Sequence, residues 1–91
     1  MHDAAALPGE DLIEAGVKDL ERGIESVPAL LVSVGAPRLR RLGFLIPRPI
    51  ASPERRLYEL LSQHDPDATH SRYNSLIRRL VSFERAAECV K

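Results

Sequence analysis

A chain of 91 residues is one domain at most, with room for a single small core. Its one cysteine, Cys89, excludes an intrachain disulfide framework and fits a reducing compartment, and no apolar run approaches the roughly 20 residues a membrane-spanning helix needs. The net charge of zero hides a split: residues 1–36 sum to −5 and residues 37–91 to +5, with eleven of the thirteen basic side chains being arginine.

Leu, Ile and Val together number 24 against four aromatics and no Trp. That aliphatic composition suits helix-on-helix packing better than a strand sandwich, which draws on more aromatic and Thr positions. The N-terminal "MHDAAALPGEDL" lacks the basic n-region and apolar h-region of a signal peptide, so a cytoplasmic, bacterial-type protein is the expectation. Residues 1–8 are mostly small, end at Pro8 and read as a flexible tail; residues 9–91 read as a single small helical domain.

From Glu10 the pattern sharpens. Leu12, Ile13, Val17, Leu20 and Ile24 fall on one helical stripe, Glu10 and Asp11 favour the positive end of the helix dipole, and Gly23 is a suitable stop, giving a helix over 10–23. Gly16 lies on the same stripe. There it costs helix propensity but allows a neighbouring helix to come close. Ser26 as cap, with Pro28 in the first turn, predicts a second helix over 27–35 that buries Val27, Leu30, Leu31 and Val34 and ends at Gly35. The run "LLVSV" also suits a short strand, but a lone strand would find no partner elsewhere in the chain. Pro37 then opens one further turn, "PRLRRLG", closed by Gly43.

Residues 43–51 read as a Pro/Arg-rich extended crossover, because Pro47 and Pro49 fix their own φ and push the preceding residues toward extended conformations. Side chains alternate along extended chain, so Phe44 and Ile46 point in with Leu45 out, or the reverse. "SPERR" predicts a helix over 53–63, with Ser52 as N-cap and Pro53 at the first helical position. Asp65 before Pro66 starts the last helix, 66–89, in the same manner. Its apolar side carries Tyr73, Leu76, Ile77, Leu80, Val81 and Ala87. Glu84 sits within that stripe, where it needs an arginine at the helix edge or across an interface. The expected fold is therefore all-α: a small bundle of four main helices, an acidic N-terminal pair joined through the crossover to a basic C-terminal pair.

Catalytic signatures are lacking. His64, Asp65, Asp67 and His70 are admissible metal ligands, but His-x5-His matches neither a helical pair nor a finger, and the aspartates serve turn and cap formation. Cys89 lies near a helix C-terminus, whose negative end does not favour a thiolate nucleophile. The glycines are scattered, so no phosphate loop forms. Neither a cofactor nor a metal is expected, and the chain reads as non-catalytic.

Two binding readings follow. In the first, the chain is a protein–protein interaction module, regulatory or antitoxin-like, that holds another protein or itself, a homodimer included. The contact then centres on Arg38, Arg40, Arg41, Phe44, Leu45, Ile46 and Arg48, because arginine is enriched at interfaces and pairs with carboxylates. In the second, the basic half (Arg38–Arg56 and Arg72–Arg85) binds DNA. Residues 52–85 form a helix–turn–helix, and Arg55, Arg56, Arg72, Asn74, Arg78 and Arg79 touch phosphates or base edges. The first is favoured, since the pI is near 6.8 and Asp65 and Asp67 would repel phosphate at the start of the reading helix.

Overall fold

The computed structural model describes residues 7–90; most of the segment read as a tail, residues 1–6, lies outside them. Four helices carry the described chain: α1 (Glu10–Glu21), α2 (Val27–Arg41), α3 (Pro53–His64) and α4 (Thr69–Cys89). One 3-10 turn, Pro66–Ala68, leads into α4, and there is no strand among the described residues. The fold is all-α, as composition and periodicity predict.

The helix α2 is the hub, packed against α1 on one side and against α3 and α4 on others. Its sequence explains why: Ala29, Leu30, Leu31, Val32 and Leu39 are all fully buried, a run too broad for one neighbour to cover. Ser26 caps α2 as expected, its Oγ accepting from Ala29 N at 3.2 Å while donating to Asp19 Oδ2 at 2.5 Å, so one hydroxyl both starts α2 and ties it to α1. The expected split into residues 27–35 and a separate turn is corrected. The helix runs unbroken through Gly35 and Pro37 to Arg41. Proline removes one backbone bond, to the Ser33 carbonyl, and burial of Ala36 just before it and Leu39 beyond it outweighs that loss.

Gly16 and Gly35 set the helix spacings. A Cβ on Gly16 would overlap Pro28 O and come within 2.5 Å of Val32 Cγ2, so α1 rests on the backbone of α2. A Cβ on Gly35 would lie 2.8 Å from Leu80 Cδ1 and 2.9 Å from Glu84 Oε2, so this glycine admits α4 rather than ending α2.

Three further boundaries differ from expectation. Ser52 does not cap α3: its backbone is left-handed (φ 49, ψ 50) and its hydroxyl makes no cap bond, because capping needs an extended residue there. Asp65 does not cap with its side chain either; instead Thr69 Oγ1 donates to Asp65 O at 3.0 Å and Pro66 O at 3.1 Å, and α4 proper begins at Thr69 rather than at Pro66. The first helix stops at Glu21, with Gly23 (φ 73) in the turn beyond it. The core closes on Leu57 and Leu61 from α3, Leu80, Phe83 and Ala87 from α4, Ile13 and Leu20 from α1, and Ile46 from the crossover.

Candidate binding groove

The crossover is not a loose strap. Arg40 Nη2, from the last turn of α2, donates to Ile46 O at 2.7 Å, and Arg48 Nη2 donates to Glu21 O at 3.0 Å. Ile50 N donates to Ser33 Oγ at 2.9 Å, and that hydroxyl in turn donates to Ala29 O at 2.9 Å, so the buried serine is satisfied on both sides. Arg48 has a left-handed backbone (φ 42), so the crossover bends there, against the expectation that the residue before Pro49 runs extended. These bonds fix which way the apolar centre points. Phe44 faces in, its ring centroid 5.4 Å from that of Phe83; Ile46 is 4% exposed and belongs to the core; Leu45 stands out at 88% exposure. This is the first of the two alternations that extended chain allows.

Leu45 forms the lip of a groove of about 500 Å³ between the crossover and α1. Leu7, Ile13, Val17, Phe44 and Phe83 make its apolar lining. Glu10, Glu14, Lys18 and Glu21 run along the α1 side at helical spacing, three carboxylates and one ammonium. Glu10 is partly engaged, its Oε1 accepting from Leu7 N at 2.8 Å, while Glu14 and Lys18 are exposed. Phe83 and this α1 wall were not singled out from sequence. The usable signal was the width of the α1 stripe: Leu12 to Val17 spans more of the helix than one packed neighbour covers, which leaves the Val17 edge open.

The other residues marked for partner binding are distributed by role. Arg38 joins the α4 carboxylates, 2.9 Å from Glu88 Oε1 and 3.6 Å from Glu84 Oε1. Glu84 is thus met by an arginine across a helix interface, yet its carboxyl is pushed up from the ordinary value: burial is the larger influence, Arg38 opposes it, and Glu88 adds to it. Arg41 is exposed at the end of α2 and makes no ion pair with the described residues.

The residues of the DNA-binding reading differ in what they contact within the chain. Arg56 binds Glu25 in a fork, 2.8 Å from Nε and 2.7 Å from Nη2, which holds the Glu25 carboxyl below its ordinary value. Arg79 lies 4.0 Å from Asp11, and Asn74 Nδ2 is 3.2 Å from His70 Nε2. Arg55, Arg72 and Arg78 are exposed and form no ion pair with the described residues. Tyr73, stacked edge-on with Tyr58 at 5.5 Å, is raised in pKa by burial and then by Glu54.

Among the described residues, no three His, Cys, Asp or Glu side chains gather as a metal set, and no helix is long and apolar enough to cross a membrane. Compared with protein-family models, with curated proteins and with solved structures, the chain finds no match.

Proposed function

We propose that this chain is a small, non-catalytic protein-interaction module, a regulatory or antitoxin-like subunit of the bacterial cytoplasm. It takes no cofactor, and its contact surface is the groove between α1 and the crossover. The observation that carries this reading is Leu45, 88% exposed yet held in place by the Arg40 and Arg48 bonds on the crossover at and beyond it. Full burial of a leucine stabilises by about 1.5–3 kcal/mol, so an apolar side chain presented on a fixed lip beside an apolar trough is a contact in waiting. The groove has the volume of a ligand pocket, but its polar groups line one rim and do not converge on a reacting centre.

Co-purification from native lysate at moderate salt tests this. Tagged wild-type chain is expected to retain a defined protein, either another chain or an untagged copy of itself, and Leu45→Asp to lose it. Equal retention by both would remove the groove as the contact surface.

The DNA-binding reading keeps one observation in its favour: the outward arginines Arg55, Arg72, Arg78 and Arg85 lie exposed on α3 and α4. On that reading, retention on duplex DNA falls steeply with salt, and Arg78→Glu with Arg79→Glu abolishes it. A flat response to salt would dismiss it.

A further inference from the structure

We propose that the groove's occupant is a second copy of the chain, in a two-fold dimer in which Leu45 of each copy enters the groove of the other. This rests on the groove being a protein-binding surface and adds to it the identity of the partner.

An isologous interface needs one patch that contains its own complement, so that residue i meets j and j meets i. The patch around Leu45 has that composition. One wall is α1, with Glu14 and Glu21 beside Lys18 and an apolar edge at Val17. The facing lip is Leu45, with the exposed Arg41 four residues before it; Arg48, three residues after, is already bonded to the Glu21 carbonyl of its own chain. A two-fold rotation sets the basic lip of one copy against the acidic wall of the other and buries both leucines at the centre. Charge pairing of this kind fixes register and discriminates against the parallel arrangement, which would oppose carboxylates to carboxylates.

The whole-molecule charge agrees. The formal net charge is zero, so two copies approach without bulk repulsion. A standard interface takes about 800 Å² from each partner, roughly a seventh of the 5635 Å² surface. The Ser71–Arg85 stretch of α4 is a poorer candidate for the second copy's contribution, because its exposed residues are all serine or arginine. A partner built on that stretch would leave the groove unfilled.

Sedimentation velocity of the full chain from about 1 to 500 μM, at low and moderate salt, decides the matter. The expected result is a mass rising with concentration toward twice the 10.1 kDa of one chain, with association weaker at higher salt. Leu45→Asp should weaken association at least a hundredfold while leaving thermal unfolding of the monomer unchanged, because the side chain makes almost no contact within its own chain. Glu14→Arg and Arg41→Glu should each weaken it about tenfold, and the double variant Glu14→Arg/Arg41→Glu should recover most of that loss. A chain monomeric at 500 μM overturns the dimer, as does association that Leu45→Asp leaves intact, or a double variant no tighter than the single ones. If the chain stays monomeric but retains a different protein through Leu45, the dimer fails while the groove stands. If it stays monomeric and retains nothing through Leu45, both fail together.

Discussion

At Gly16 the backbones of α1 and α2 come so close that no larger residue fits without moving one of them. Alanine would gain about 1 kcal/mol of helix propensity in isolation, but overpacking a tight contact typically costs about 1–3 kcal/mol. The obstruction here is the Pro28 carbonyl, which cannot rotate away as a side chain can. Gly16→Ala is therefore expected to lower the urea midpoint with an unchanged m-value, a net loss on the order of 1–2 kcal/mol. A stabilised variant would mean that α1 rides further from α2 than described.

Glu84 offers a test with a definite sign. Its folded pKa lies above the ordinary 4.5, so the folded state binds the proton more tightly than the unfolded chain does. Stability from this group is present at low pH and is lost as pH rises from about 4.5 through the folded value. Glu25 runs the other way. Its lowered pKa gives stability that is present above the unfolded value and lost on acidification, screened because the pair with Arg56 is exposed. Glu84→Gln should hold or raise stability at pH 7 and flatten the pH profile above 4.5. A large loss at pH 7 would show that the Arg38 attraction outweighs burial.

Among the elements, the crossover depends on few bonds, and Ser33 is the one placed in the core. Ser33→Ala leaves the half-buried Ile50 N–H without its acceptor, a cost at the lower end of the about 1–3 kcal/mol that a fully buried donor loses. Amide exchange at Ile50 should then accelerate more than exchange within α1; equal protection in the variant would show another acceptor. The helices themselves were legible because their apolar spacing, prolines and first-turn acids agree, and the inward–outward alternation of "FLI" followed from extended geometry alone. The continuity of α2 was not legible. Gly35 and Pro37 are both local stop signals, and only burial of Ala36 and Leu39 against distant elements overrides them. Ser52 failed as a cap for a related reason: the chain must turn sharply out of the crossover, and the left-handed backbone that achieves this takes the hydroxyl away from the helix amides. Half of the groove was readable, the Phe44–Leu45 lip. The α1 wall was not, because which edge of a wide stripe stays open depends on where the neighbours pack.

Across the whole molecule, the charge split is only partly spent within the fold. Arg56 with Glu25, Arg79 with Asp11, and Arg48 on the Glu21 carbonyl all join the basic half to the acidic half. Glu14, which lines the apolar groove with the exposed Leu45 at its lip, and Arg41, four residues before that leucine in sequence, form no ion pair with the described residues. The exposed residues of α4 from Ser71 to Arg85 are all serine or arginine, with no apolar anchor among them. Binding by burial and binding by phosphate attraction therefore call on different residues, and a probe that reports contact position by position separates them. A photocrosslinking amino acid introduced in cells at Leu45, Glu14, Arg78 or Arg85, one position at a time, supplies it. Protein adducts are expected from Leu45 and Glu14 and none from Arg78 or Arg85. Silence at Leu45 with adducts, protein or nucleic acid, at Arg78 would contradict the groove as the working surface.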